Sequence, residues 1–406
     1  MNLKIKVQLS LMMFLEFFIW GGWFVSLGTF LVKNLNASGG ESALVFSTQS
    51  WGAIIAPFII GLIADRYFNA ERILGVLHLI GAFLMYLMYG AESIDLFFPY
   101  VLGYMIIYMP TLALVNSISF NQMKDPAKEF SPIRVLGTIG WIIAGLTISW
   151  LGWDSEANAN AGMLKNTFLM VGIASAVLGV FSFSLPKTPP KPSQGKQSIG
   201  DILGLDALKL LRDRNFAMFF IASILICIPR AFYYQYTHPF IHDSGLTNPT
   251  GKMAIGQMSE VLFMLLLPFF FKRFGFKKTI LAGMLAWTIR YFLFAYGNGG
   301  ELAFMLITGI ALHGICYDFF FVSGQIYTDT KAGAKIKSAA QGLITLATYG
   351  VGMLIGFWVA GKIYDANLID GSHDWKTIWM VPSVFALGVF VLFALFFKNE
   401  KIEYKA

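Results

Sequence analysis

Apolar runs of about 20 residues, separated by short polar or charged turns, recur along the whole chain. Each is long enough to cross a bilayer as a helix. They predict twelve spans at about 9–33, 44–65, 72–91, 95–120, 131–152, 165–185, 214–238, 253–272, 278–297, 301–327, 337–361 and 376–397. The short segments of alternating apolar and polar residues that a membrane barrel needs are absent from the sequence. The expected fold class is therefore all-α and polytopic. An even number of spans puts both termini on one side.

Composition agrees with this pattern. Of 406 residues, 56% are hydrophobic and only 13% are charged, about half the charged share of a soluble domain. The net charge of +7 matters through its placement. Lys4 and Lys6, the turns after spans 2, 4, 8 and 10, the segment between spans 6 and 7, and the tail hold most of the Lys and Arg. The opposite side has only Lys33, Lys165, Lys252, Lys362 and Lys376, while Arg230 and Arg290 fall inside spans. That asymmetry predicts cytoplasmic termini. The first apolar run lacks a small-residue cleavage site and reads as a span, not a signal peptide. Cys227 and Cys316 lie in apolar runs and read as small buried hydrophobes, with no disulfide framework or metal cluster.

One linker divides the chain. "PKTPPKPSQGKQSIG", Pro186 to Gly200, is Pro-rich and basic, and "DILGLDALKLLRDRNF" after it has the apolar and charged spacing of a helix lying on a membrane surface. The expected domains are 1–185, a six-helix bundle; 186–213, a cytoplasmic linker with a surface helix; and 214–406, a second six-helix bundle with a short tail. The halves echo one another. "PFIIGLIADRYFNAERIL" (Pro57 to Leu74) and "PFFFKRFGFKKTIL" (Pro268 to Leu281) both run from Pro-Phe through a basic turn to Ile-Leu. Paired six-helix pseudo-repeats suggest a transporter with its site at mid-membrane between the halves.

Ionisable residues at bilayer depth are costly and usually face a cavity or a partner. They are Glu16, Arg134 at the mouth of span 5, Arg230, Glu260, Arg290 and Asp318. Arg134, Thr138 and Trp141 stand at i, i+4, i+7 in "SPIRVLGTIGW", so one helix face offers a cation, a hydroxyl and an aromatic plane. Gly137 and Gly140 allow close approach of a helix or a ligand. Arg134 also fits a topology charge, and Trp141 a packing aromatic. Gln257 and Glu260 share a face at i, i+3, suited to ribose hydroxyls, to a base edge, or to each other's helix neighbours. His313 and Tyr317 are i, i+4, with Asp318 adjacent. The rings suit stacking on a planar ligand, or His313 is a core histidine. Asp318 either carries a proton or pairs with Arg290. Arg230 either faces a cavity or snorkels. Tyr233, Tyr234 and Tyr236 fit a gate or an aromatic belt. Glu16 reads as a second proton site or as a structural partner. His238 and His242 have a metal spacing, but Pro239 breaks the helix between them and no third ligand is evident, so no metal is expected.

Twelve spans, the long 6–7 segment and "GLIADR" resemble the major facilitator superfamily. That resemblance implies a conformational latch at Asp65 and Arg66. "FFIWGGWFVSLGTF", "YMPTLALVNSISF", "SPIRVLGTIGW", "LGLDALKLLRDRNFAMFF", "GQMSEVLF", "GICYDFF" and "SAAQGL" resemble, in order, the nucleoside:H+ symporter family within it, as in bacterial nucleoside permeases. The resemblance implies substrate contacts from Arg134, Thr138, Trp141, Gln257, Glu260, His313 and Tyr317, and proton coupling at Asp318, shared with Glu260. The chain departs from the family pattern at Trp141, where a Phe is usual, at His313, where a Tyr is frequent, and at Pro229 and Phe232, where some members carry Gln and Asn.

The expected function is a secondary active transporter that imports nucleosides by proton symport through alternating access. The alternatives are a proton-coupled symporter of the same fold for a sugar, nucleobase or drug, and a membrane sensor or enzyme. The sequence has no HExxH or GxSxG, so no enzymatic activity is expected. Nor is any cofactor expected, protons serving as the coupling ion. The expected partners are a nucleoside and the lipid bilayer, not nucleic acid, with the chain acting as a monomer. The expected location is a bacterial cytoplasmic (inner) membrane, multi-pass, with both termini cytoplasmic.

Overall fold

A computed structural model describes residues 2–59, 68–124, 129–190 and 205–400. Asp65, Arg66 and most of the Pro-rich linker lie outside the described residues. The helices long and apolar enough to span a membrane are α1 (Leu3–Asn34), α2 (Gly39–Ile59), α3 (Ala70–Tyr89), α4 (Ile94–Asn121), α5 (Ser131–Trp150), α6 (Met163–Ser182) and α7 (Arg214–Asp243). Pro249–Tyr296 follows as one 48-residue run, and then α10 (Ala303–Gly333), α11 (Ala339–Ala366) and α12 (Trp375–Phe396). The long run holds two spans, α8 (249–274) and α9 (276–296). Gly275, at φ 76° and ψ 172°, breaks it. A residue without Cβ adopts that left-handed φ cheaply, so one glycine does the work of the longer turn that the apolar pattern suggested.

Other boundaries moved outward. α1 begins at Leu3 and not near residue 9, because Asn2 caps it, accepting from the Lys4 N–H at 3.1 Å. α7 continues through Pro239 to Asp243. A membrane helix tolerates an interior proline where neighbours satisfy the freed backbone groups. At the other proline of α7, Pro229, the Tyr291 hydroxyl donates to the proline's own carbonyl at 2.5 Å, tying α9 to the helix there. A two-stranded antiparallel turn, β1 (Leu368–Ile369) and β2 (Ser372–His373), leads into α12. The expected surface helix is a 3-10 turn over Leu205–Arg212. Its Ala207 packs with Ala340 and Leu343 of α11.

The chain forms two compact units, Met1–Ala37 with Leu44–Lys196, and Ser38–Ala43 with Gln197–Ala406. In the first, α1 and α5 approach closely enough that a Cβ on Gly140 would strike the Phe14 carbonyl and lie 3.1 Å from the Phe18 nitrogen. In the second, a Cβ on Gly314 would lie 2.7 Å from the Glu260 nitrogen, so α8 and α10 touch backbone to backbone. Lipid tails are as apolar as Leu, so such helices associate by tight packing at small residues rather than by exclusion of water. Phe83, Val180, Leu265 and Leu395 point outward and are largely exposed. An apolar outer surface of this kind suits hydrocarbon.

Candidate functional site

In the first unit, the α5 face carries Arg134, Thr138 and Trp141, all half-buried. The Arg134 guanidinium lies 4.1 Å from the centroid of the Phe17 ring. A Cβ on Gly137 would come within 2.6 Å of that ring, so the glycine makes room for Phe17. Trp141 meets Trp20 edge-to-face with centroids 5.6 Å apart. Gly137 and Gly140 therefore serve helix contact with α1. Arg134 and Trp141 are seated by α1 aromatics, a support that the α5 sequence alone did not reveal.

Glu16 is fully buried on the same α1. Its Oε2 is 2.9 Å from His78 Nε2, and its Oε1 accepts from Thr111 Oγ1 at 2.5 Å. The Tyr108 hydroxyl donates to the Glu16 carbonyl at 2.8 Å. His78 Nδ1 is 3.0 Å from Ser175 Oγ, whose hydroxyl donates to the His78 carbonyl at 2.9 Å. One carboxylate thus ties α1 to α3, α4 and, through His78, α6. A carboxylate so satisfied is a structural partner for three helices, the second of its two sequence readings. His78, Thr111 and Ser175 carried no periodicity that set them apart from ordinary helix polar residues.

In the second unit, Gln257, Glu260, His313 and Tyr317 converge. His313 is buried, while Gln257, Glu260 and Tyr317 are partly so. His313 Nε2 lies 3.4 Å from Gln257 Nε2 and 3.7 Å from Glu260 Oε2. The His313 ring is stacked on Tyr317 at 6.0 Å and on Tyr233 at 5.2 Å. α10 is interrupted on both sides of this group. Its regular α-helix pauses at Leu312, resumes over His313–Tyr317, and gives way to a π-helical turn over Asp318–Val322. Single π-turns in membrane and soluble helices frequently mark functional positions, because they rotate one side chain out of register. The first residue of this turn is Asp318. It is fully buried, and neither carboxylate oxygen has a hydrogen-bond partner among the described residues. Among the described residues no hydrogen-bond donor compensates a negative charge there.

Asp318 does not pair with Arg290. The Arg290 Nη1 instead lies 3.1 Å from His313 Nδ1, because the side chains of α9 and α10 meet one turn away from the aspartate. Arg230 does not snorkel: it is 2% exposed. Its Nη2 donates to the Tyr349 hydroxyl at 2.9 Å, and its guanidinium lies within 4.6–5.4 Å of the Tyr349, Phe321, Tyr234 and Tyr317 ring centroids. An aromatic enclosure of this kind offsets part of the cost of burying the cation. The three tyrosines of α7 do not form one belt. Tyr233 faces Arg290, Tyr234 faces Arg230, and Tyr236 stacks on Tyr364 at 4.3 Å. His238 Nε2 sits 2.8 Å from Thr250 Oγ1. Among the described residues no cluster of three or more His, Cys, Asp or Glu side chains has a metal-holding arrangement.

Comparison with known proteins places this geometry in a family. The profile of the nucleoside H+ symporters matches residues 3–402. The candidate nucleoside transporter YegT of Escherichia coli K12 is 43% identical over 412 residues, covering 100% of this chain and 96% of that protein. The xanthosine permease of the same organism is 33% identical, covering 100% and 99%. The crystal structure of a mutant of the nucleoside transporter NupG is 30% identical, covers 97% of this chain and 100% of that one, and superposes with a TM-score of 0.89. The fold also matches more distant transporters, such as a POT-family structure at TM-score 0.74 and 16% identity. The chain is a multi-pass membrane transporter, not an enzyme, and it belongs to the nucleoside H+ symporter family.

Proposed function

We propose that the protein imports a nucleoside together with a proton by alternating access, with Gln257, Glu260, His313 and Tyr317 contacting the substrate. The observation that carries this is the convergence of an amide, a carboxylate and an imidazole within 3.4–3.7 Å beside a stacked tyrosine. A nucleoside presents the complementary chemistry. Ribose hydroxyls donate to a carboxylate, base carbonyls accept from amide, imidazole or guanidinium N–H groups, and the base plane stacks on aromatic rings. Arg134, Thr138 and Trp141 are further proposed substrate contacts, with Arg134 giving fixed planar donors and Trp141 a ring face.

Asp318 carries the coupling proton in this reading, and Glu260 links that proton to substrate. Support comes from the burial of Asp318 without a compensating donor. A carboxyl that is easily accommodated only with its proton binds one when access opens on the acidic side and releases it when the surroundings change. Protons are the only coupling species proposed, with no other cofactor. The Lys and Arg asymmetry supports cytoplasmic termini in a bacterial inner membrane. The protein is proposed to act as a monomer, since two pseudo-repeats within one chain complete the architecture.

Uptake of labelled uridine and adenosine into proteoliposomes, with and without an imposed pH gradient, tests the reading. Gradient-stimulated uptake of at least one supports it. If well-folded protein takes up neither, the nucleoside assignment is wrong.

A further inference from the structure

We propose that Arg290 is a positioning residue that fixes the His313 imidazole as an Nε2–H donor aimed at Gln257 and Glu260. This rests on the reading of Gln257, Glu260 and His313 as substrate contacts. The argument starts from what a guanidinium can do. It has five N–H donors and no acceptor. Arg290 Nη1 is 3.1 Å from His313 Nδ1, so Nδ1 accepts. The neutral ring must then hold its proton on Nε2. That nitrogen is the one 3.7 Å from Glu260 Oε2 and 3.4 Å from the Gln257 amide.

The placement of Arg290 is itself fixed. Its guanidinium lies 3.5 Å from the centroid of the Tyr233 ring, and Tyr233 stacks on His313 at 5.2 Å with the planes 24° apart. Cation, phenol and imidazole therefore form one stack in which no ring turns alone. On the other side, a Cβ on Gly256 would come within 3.1 Å of His313 Cβ, so α8 closes the space into which the imidazole could swing. Arg290 is fully buried, and its Nε and Nη2 have no hydrogen-bond partner among the described residues. Its Nη1 hydrogen-bonds the imidazole, and Tyr233 and Cys316 also interact with this costly buried cation. Other charged or titratable groups around His313 and Arg290 are Glu260 on α8, Arg230, Tyr233 and Tyr234 on α7, Tyr291 on α9, and Cys316, Tyr317 and Asp318 on α10. Among the described residues, the hydrogen bond found at Nδ1 is that of Arg290.

A consequence follows for Gln257. Its Nε2 and the His313 Nε2 would both be donors, and two donors cannot satisfy one another. Amide nitrogen and oxygen are interchangeable by a half-turn, and the network decides between them. With His313 locked as a donor, Gln257 presents Oε1 to the imidazole and keeps its NH2 for a ligand carbonyl or hydroxyl. The frequent family Tyr at this position could rotate its hydroxyl to donate or accept. The locked histidine of this chain donates only, so Arg290 converts a two-way contact into a one-way one.

The test reads the tautomer directly. The chain has five histidines, so 15N-imidazole NMR of histidine-labelled protein is tractable, with His313 identified by the resonance lost in His313→Gln. The expected wild-type result is Nε2–H with a bare Nδ1, and in Arg290→Met a shift of that resonance toward the other tautomer. Arg290→Lys, which keeps a cation and a donor but not the planar stack, gives a second folded comparison and should fall between the two. In uptake assays Arg290→Met should raise KM about tenfold with little change in kcat, the size of one charge-assisted hydrogen bond. Adding His313→Gln to Arg290→Met should cost little more. Wild-type His313 found as Nδ1–H, or a His313 signal unchanged in both Arg290 variants, would overturn the proposal. Absence of nucleoside uptake by the wild type would sink the substrate reading instead, and the tautomer result would still stand or fall on its own.

Discussion

Removing the Glu16 carboxylate should unfold the first unit at markedly lower temperature without touching proton coupling. Glu16→Ala leaves His78 Nε2 buried without the partner now 2.9 Å away, and takes from Thr111 the acceptor now 2.5 Å away. Thr111 keeps its second acceptor, the Tyr108 carbonyl at 2.5 Å, so its loss is partial. Breaking a buried charged pair by deleting one member costs about 3–5 kcal/mol. In a unit of this size about 1 kcal/mol moves Tm by about 2–4 °C, so the expected drop is roughly 6–20 °C. Glu16→Gln should cost far less, about 1–2 kcal/mol. Its amide oxygen can still accept from Thr111, and its NH2 can donate to His78 once that ring sheds its Nε2 proton. Replacing both partners, Glu16→Leu with His78→Leu, should recover much of the loss, because apolar substitution of a whole buried pair is often neutral. The assay is thermal unfolding in detergent followed by tryptophan fluorescence, since Trp20 and Trp23 lie within two turns of Glu16 on α1. Gradient-driven uptake by Glu16→Gln should match wild type. A Glu16→Ala protein that melts within a degree or two of wild type would refute the structural account. A stable Glu16→Gln protein that no longer accumulates substrate would make Glu16 a proton site.

Three further outcomes are expected. Asp318→Asn should still exchange substrate down its gradient but lose proton-driven accumulation, which for one proton per substrate is worth about tenfold per pH unit; radiolabel accumulation compared with counterflow reads both. Arg134→Lys should raise KM about tenfold with kcat little changed, since an ammonium supplies neither the planar donors nor the stack on Phe17 at 4.1 Å; initial-rate kinetics in proteoliposomes check it. Gly140→Val should force α1 and α5 apart, because even its Cβ overlaps the Phe14 carbonyl, and should lower Tm by several degrees at about 1–3 kcal/mol; Gly388→Val, where a Cβ meets nothing within 4 Å, is the control.

The spans were legible because bilayer thickness imposes a length on every apolar run, and the runs survive errors of several residues at each end. The turn between α8 and α9 was not legible as a single residue. Hydropathy registers charges such as Lys272 and Arg273, but the backbone reversal depends on φ at Gly275. The face shared by Gln257 and Glu260 was legible from i, i+3 spacing alone. Their meeting with His313 was not, since it depends on how α8 and α10 are rotated about their axes. The same limit explains Arg290. Intramembrane charge marked it as a residue with a partner, and opposite sign favoured Asp318. The packing of α9 against α10 selected the neutral imidazole. Glu16 and His78 stand 62 positions apart, and nothing local in either helix links them. Arg230 shows a further case. A long cation can snorkel from many depths, and only the surrounding rings of α7, α10 and α11 fix it inside.

The claim that nucleoside and proton move together is tested most directly by proton movement driven by substrate alone. Purified protein would be sealed into liposomes with a pH-sensitive dye inside and no pH gradient across the membrane. Adding a nucleoside outside should acidify the lumen, at a rate that saturates with nucleoside concentration and vanishes in Asp318→Asn. A lumen pH that stays level while labelled nucleoside enters would contradict the account.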